Sequence, residues 1–157
     1  MSSVLAVENL HIHLQTEKGF LPVVNGMDFS LKKGKVLGIV GESGCGKSVT
    51  CFSLMRLLSQ SFRVTGGRID FQGKNLLEID EEEVKKLRGK EIALIMQNPM
   101  AAFNPVVTIG QHFIESLQTH LELNKQEAKA MAIQCLAAMN LPHYQEMMDQ
   151  YPFQLSG

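Results

Sequence analysis

Cysteine is scarce and poorly placed for a structural role. Cys45, Cys51 and Cys135 are the only three in 157 residues, and they form neither a CxxC pair nor a metal-ligand spacing. An odd count argues against a disulfide framework and makes a reducing cytosol the default compartment. An excess of either charge is also lacking. The 15 Lys+Arg are balanced by 16 Asp+Glu for a net charge of −1, so nothing points to a nucleic-acid partner or to an acidic disordered tail. No apolar run approaches the roughly 20 residues that span a bilayer. The opening residues 1–8 have no positive n-region and no long apolar h-region, so no signal peptide is expected. Any membrane role would have to go through a partner. Internal repeats and low-complexity stretches are absent too. What is present is an ordinary globular composition, 45% hydrophobic and 20% charged, at a length that suits one domain.

Hydrophobic patterning divides the chain in two. Val4 to Leu14 alternates loosely, and Val23 to Leu31 follows it across a turn at 19–22, so the start reads as β-rich. Val36 to Val40 is a short apolar run bounded by glycines, the pattern of a strand buried on both faces. Helical character is expected from Gly46 to about Ser59. Gly66-Gly67 is expected to break the chain before a strand at 68–72. Asp80, with Glu83 three residues on, marks the capped start of a charged helix. Ile92 to Met96 reads as another apolar strand. After Pro105 the period changes. Thr108 with Gln111, and Asn124 with Glu127, have capping-box spacing. Ile109, Phe113, Leu117 and Leu121 share one helical face, and so do Ala128, Met131, Ala132, Leu136 and Met139. The expectation is an α/β part over about 1–105 and an appended helical subdomain over about 106–157.

The chemically informative segment runs from Gly41 through Glu42, Ser43, Gly44, Cys45, Gly46 and Lys47 to Ser48. It matches G-x-x-x-x-G-K-[ST] in full, with a strand pattern before it and a helical pattern from Val49 onward. The glycines allow tight or left-handed backbone and close approach of a ligand. Successive amides can then form an anion nest at the positive end of the following helix. Lys47 is placed to reach the β- and γ-phosphates of a nucleoside triphosphate, and the Ser48 hydroxyl to ligate Mg2+. Cys45 has two readings, a reactive thiol at a helix N-terminus or a small residue at an unconstrained position.

Around this loop the sequence resembles the ATP-binding subunits of ABC transporters. The wider match is Leu37 to Ser48. The segment Met96-Gln97-Asn98-Pro99 looks like that family's Q-loop, and Tyr151 to Gly157 looks like the lead-in and first residues of its signature motif. The three elements occur in the family's order and cover essentially the whole chain. The wording of Gln97–Pro105 and Tyr151–Gly157 is similar to the peptide and nickel importers and leans toward the nickel branch. The resemblance implies a P-loop NTPase (RecA-like) core with an N-terminal β subdomain and a helical subdomain, incomplete at the C-terminus. It implies ATP and Mg2+ as ligands, with Gln97 sensing the γ-phosphate, the Mg2+ and the attacking water. Ser156 and Gly157 would face the γ-phosphate held by a second ATP-binding subunit, a homo- or heterodimer partner. Transmembrane permease subunits would dock on the helical subdomain, an extracytoplasmic substrate-binding protein would act indirectly, and the subunit would be peripheral on the cytoplasmic face of the membrane. Phe20 is the candidate adenine platform, with a plain turn or core phenylalanine as the competing reading.

The family's Walker B strand with its catalytic Glu, its D-loop and its switch His do not occur in these 157 residues. Leu76 to Glu81 superficially resembles a Walker B strand, but Asp80 reads as an N-cap. The expectation is a chain that binds nucleotide and does not by itself turn it over at a family-like rate. Rival readings are a P-loop kinase or NTPase without a transport role, and a hydrolysis-deficient nucleotide-binding fragment. His11 and His13 share a strand face and could be a ligand pair or a surface pair; His112, His120 and His143 show no converging spacing.

Overall fold

In the computed structural model, which describes residues 3–155, β1 (Ser3–Thr16) and β2 (Gly19–Lys32) form a long antiparallel hairpin. Thr16 Oγ1 closes it by donating to the Gly19 carbonyl at 2.7 Å. β3 (Phe62–Phe71) pairs antiparallel with the other edge of β1, and the short β4 (Lys74–Asn75) adds to β3, giving the order β2-β1-β3-β4. β2 is an edge strand, which is why it accommodates Pro22, a residue that cannot donate to a ladder.

One irregularity sets the core. Strict alternation would put Val7 and Ile12 on opposite faces. Asn9 has φ +47, and the register shifts between Val7 and Leu10 against β2 and between Glu8 and His11 against β3. This bulge reverses the parity, so Val7, Leu10 and Ile12 are all buried, packed with Val24, Ile69, Phe71 and Leu76. The expected break at Gly66-Gly67 is corrected: β3 runs through both residues. Gly67 serves the bulge rather than ending a strand. Its φ is +96, and a Cβ there would meet the Asn9 carbonyl oxygen at 2.5 Å.

Helix α1 (Lys47–Leu54) is shorter than the expected run to Ser59. Arg56 turns left-handed at φ +50, and the amides of Arg56 and Leu57 donate to Ser53 O and Phe52 O at 3.0 and 2.9 Å. That is a Schellman end, and it stops the helix. Helix α2 (Glu81–Leu87) starts as expected, with Asp80 accepting from the Glu83 amide at 2.7 Å. Only half a capping box forms, because the Glu83 carboxylate pairs with Lys74 at 3.1 Å instead.

Two expected strands are absent among the described residues. Residues 36–40 have no ladder partner, and Ile92 makes a single parallel bridge to Arg88. Val36, Val40 and Ile95 are 99%, 93% and 91% exposed. The β-branched pattern there signals a preference for a buried strand, but no described segment runs alongside to bury it.

Contacts divide the chain into Met1–Leu94 and Ile95–Gly157, a boundary ahead of the 105/106 suggested by composition. In the second unit a 3-10 turn at Pro99–Ala102 precedes α3 (Ile109–His120), α4 (Lys125–Ala138) and α5 (Tyr144–Met147), and a second 3-10 turn follows at Pro152–Gln154. Both expected capping boxes form, Thr108 with Gln111 and Asn124 with Glu127. α3 packs on α4 through Phe113, Leu117, Ala132, Ile133 and Leu136, with Met148 closing the cluster. Leu121 and Met139 depart from the expected faces and are exposed, because each is the C-cap where its helix ends.

Candidate functional site

The site begins where β2 meets the start of α1. Gly46 is the N-cap of α1 at φ +93, and it is buried against β2. A Cβ on Gly46 would meet the Val23 carbonyl oxygen at 2.8 Å and Val24 Cγ2 at 3.0 Å. Only glycine combines that conformation with that approach. Thr50, fully buried one turn on, donates its hydroxyl to the Gly46 carbonyl at 3.0 Å and lies 3.5 Å from the Met27 sulfur. Helix α1 is thereby seated on β2, with its first-turn amides facing outward and lacking intrahelical acceptors.

The loop ahead of the helix folds back over this end. The Lys47 ammonium donates to the carbonyls of Gly41 at 2.7 Å and Glu42 at 2.5 Å, and lies 3.4 Å from Cys45 Sγ. The Cys45 amide donates to the Glu42 carbonyl at 3.4 Å. A Cβ on Gly41 would come within 2.7 Å of Cys45 Sγ and 3.9 Å of Lys47 Nζ, so a side chain there would invade the loop's interior. Glu42, Ser43, Gly44, Cys45 and Ser48 are exposed, and Val49 is half-buried against the sheet core. The arrangement offers one cation held on main-chain carbonyls, a run of exposed backbone and a helix N-terminus within eight residues. That donor set fits a polyphosphate, with the Ser48 hydroxyl available to a divalent cation.

Phe20 is 61% exposed on β2, the strand whose Val23 carbonyl abuts Gly46. Gln97 lies exposed in the bend before the Pro99–Ala102 turn, in the second unit. Ser156 and Gly157 fall outside the described residues. Asp80 caps α2 and makes no strand-end carboxylate. His11 Nε2 is 3.0 Å from Asn9 Oδ1 and His13 Nδ1 is 2.7 Å from Thr65 Oγ1, so each imidazole has its own neighbour. No group of three or more His, Cys, Asp or Glu converges for a metal among the described residues. Thr50 was not legible as a site-building residue. Its signal, a hydroxyl three positions after Lys47, is indistinguishable from any polar helix residue until the burial is seen.

Comparison with known proteins gives the family and the fold. The sequence model of the ABC transporter family matches residues 24–157. A dipeptide transport ATP-binding protein of Bacillus subtilis is 42% identical over 158 residues, covering 100% of this chain and 47% of that protein. Oligopeptide transport ATP-binding proteins of Haemophilus influenzae and Escherichia coli are 41% and 39% identical, covering 100% and 99% of this chain and 48% and 46% of theirs. A solved dimeric ATP-binding cassette in a post-hydrolysis state with ADP and Pi superposes with a TM-score of 0.79 at 19% identity, over 97% of this chain and 63% of that one. The fold is that of the P-loop cassette, and the chain belongs to the ABC transporter family. It spans about half the length of the curated relatives it matches.

Proposed function

We propose that this chain is the nucleotide-binding part of an ATP-binding subunit that couples ATP binding and hydrolysis to import of dipeptides or oligopeptides across the cytoplasmic membrane. The observation that carries the nucleotide reading is the Lys47 ammonium held across the Gly41–Glu42 carbonyls at the N-terminus of α1. Gly41 to Ser48 supply main-chain amides to the phosphates, and Lys47 neutralises the β- and γ-phosphate charge by exchanging carbonyl acceptors for phosphate oxygens. Val49 packs the first helical turn onto the sheet core and so holds those amides in place. The Ser48 hydroxyl would hold Mg2+, which supplies charge neutralisation at the phosphates when bound; the family resemblance gives Gln97 a part in the same task. Phe20, exposed on β2 three residues before Val23, is the surface offered to an adenine ring.

Peptide as cargo is the reading that the names of the relatives support. A nickel cargo rests only on the wording of Gln97–Pro105 and Tyr151–Gly157. No helix among the described residues is long and apolar enough to cross a membrane. In this reading, transport would go through transmembrane permease subunits, a second ATP-binding subunit completing each nucleotide site through Ser156 and Gly157, and an extracytoplasmic substrate-binding protein acting through the permease. The subunit would sit peripherally on the cytoplasmic face.

Titration calorimetry with Mg-ATP on wild type and Lys47→Ala tests the nucleotide reading; equal uptake by both would overturn it. Co-purification with permease subunits and a comparison of dipeptide with nickel uptake, in cells carrying and lacking the subunit, tests the transport reading. A cell whose peptide and nickel uptake are both indifferent to the subunit's loss would refute it.

A further inference from the structure

The front of α1 is fixed by Gly46 against β2, and its rear is fixed by a different device. The Schellman end of α1 places Arg56, rather than glycine, in the left-handed region. A bulky residue there is strained and persists only when its surroundings over-determine it. The surroundings are specific. Arg56 Nη1 donates to the Ile79 carbonyl at 2.6 Å, and Arg56 Nη2 lies 3.4 Å from the Glu81 carboxylate. Arg88, the C-cap of α2, donates Nε to the Met55 carbonyl at 2.8 Å and Nη2 to the Arg56 carbonyl at 3.1 Å. Its Nη1 donates to Glu81 at 2.8 Å, so Glu81 ties both guanidinium groups together. The Arg88 side chain is 23% exposed, and its fork satisfies two carbonyls just past the end of α1, at the negative end of the helix.

We propose that Arg88 is a positioning residue for nucleotide binding: it clasps the rear of α1 and thereby holds the amides of the loop at the front in register with a polyphosphate. This rests on the nucleotide reading of the same loop. A helix of eight residues is only about 12 Å long. It is one rigid turn-stack, so a tilt at Met55 reaches Gly46 and Lys47 directly. Lysine at position 88 keeps the charge, but its donors sit on one nitrogen and cannot span the Met55, Arg56 and Glu81 acceptors as the planar fork does. Glutamine supplies no charge and cannot span Met55, Arg56 and Glu81 together.

The test uses the full chain and two probes, Mg-ATP and inorganic tripolyphosphate, titrated into wild type, Arg88→Gln, Arg88→Lys and Val7→Ala. Val7 is a core residue of β1 whose truncation lowers stability without touching the clasp. In catalysis, misplacement of an oriented group by about 1 Å can cost about a hundred-fold in rate, and a smaller loss is expected for binding alone. The expected result is about a ten-fold loss of affinity for both probes in Arg88→Gln, an intermediate loss in Arg88→Lys, and less than about a two-fold change in Val7→Ala. A merely structural Arg88 would weaken binding no more than Val7→Ala does at equal loss of melting temperature, and that outcome overturns the proposal. If Arg88→Gln does not fold, Arg88→Lys decides: wild-type affinity for tripolyphosphate in that variant overturns it as well. Wild type that takes up neither probe brings down the nucleotide reading and this inference together. Wild-type uptake with both Arg88 variants unchanged brings down this inference alone.

Discussion

Lys47 donates to the Gly41 carbonyl at 2.7 Å, closing the loop of which it is the last residue but one. The same ammonium reaches Glu42, so two main-chain oxygens hold the cation where phosphate oxygens would compete for it. A hydrogen bond to a charged group contributes about 1.5–3 kcal/mol. Lys47→Ala is therefore expected to weaken Mg-ATP binding by about ten- to a hundred-fold. Urea unfolding of the variant should shift by under about 1 kcal/mol, because surface polar changes rarely cost more. Calorimetry on the two proteins measures the first number, and a Kd within two-fold of wild type contradicts the assignment.

Gly44 and Gly46 are both left-handed, at φ +83 and +93, but only Gly46 is crowded. An alanine at 44 meets nothing within 4 Å, while one at 46 meets the Val23 carbonyl at 2.8 Å. Gly44→Ala should cost about 1 kcal/mol for its backbone conformation. Gly46→Ala should cost about 2–4 kcal/mol, since the clash adds to the strain. Equal unfolding midpoints for the two variants would show that the seating of α1 on β2 is looser than described.

How much of this was legible differs from element to element. The Gly41–Ser48 motif was readable because phosphate binding needs fixed residue types at fixed spacing, and the left-handed Gly46 at the start of α1 is what such a motif leads one to expect. The helix starts at Thr108 and Asn124 were readable because a capping box is a local contract between residues three apart. Val36 and Ile95 misled because β-branched composition reports what a segment prefers, while pairing depends on what lies alongside. Gly66-Gly67 misled because two glycines mark either a break or a bulge, and the choice is made by Asn9 on another strand. Arg56 and Arg88 were invisible as a pair. They are 32 positions apart and meet through the Arg56 carbonyl and the Glu81 carboxylate, and no sequence spacing links those three positions.

The start of α4 offers a cleaner energetic test than its modest amphipathicity would suggest. Asn124 Oδ1 accepts from the amides of Gln126 and Glu127 at 2.9 and 3.0 Å, and the Glu127 carboxylate accepts from the Asn124 amide at 2.8 Å. Asn124→Ala strips two of the four orphan donors of their acceptor and should cost about 1 kcal/mol. Asn124→Asp preserves the cap and should be within a few tenths of wild type. Thermal melts of the three proteins give the ranking; an alanine variant as stable as the aspartate one would mean that water caps this helix equally well.

Asp70 gives the sheet an acid-sensitive corner. Its carboxylate accepts from Arg68 at 2.8 Å and from the Gly73 amide at 2.8 Å, and these bonds, the guanidinium first, hold its pKa below the usual value of 3.8. A carboxyl depressed in the folded state contributes stability that is fully present above the unfolded pKa and is lost as pH falls through the folded one. The stability difference between wild type and Asp70→Asn should thus be constant from pH 7 down to about pH 5 and shrink below pH 4. Because the group is solvent-accessible, the effect should also fade in high salt. A difference that is unchanged at pH 2 would assign it to shape rather than charge.

Among the described residues, the Gly41–Ser48 loop proposed to bind phosphates has no strand-end carboxylate of the kind the family resemblance calls for. Asp80, the one sequence candidate for a strand-end carboxylate, spends its side chain on the Glu83 amide at the start of α2. Gln97, the residue the family resemblance assigns to the attacking water, could not take its proton, since an amide is not a base at neutral pH. A positioned general base is worth about 10²–10⁴ in rate, and without one the loop can only hold nucleotide. The segment expressed alone is therefore expected to take up Mg-ATP in a Lys47-dependent manner while releasing phosphate no faster than Lys47→Ala does. Phosphate release under single-turnover conditions measures this directly. Steady turnover that vanishes on replacing Lys47 would show that a catalytic base is already present among these residues, and Glu42, exposed within the loop itself, would be the first to substitute.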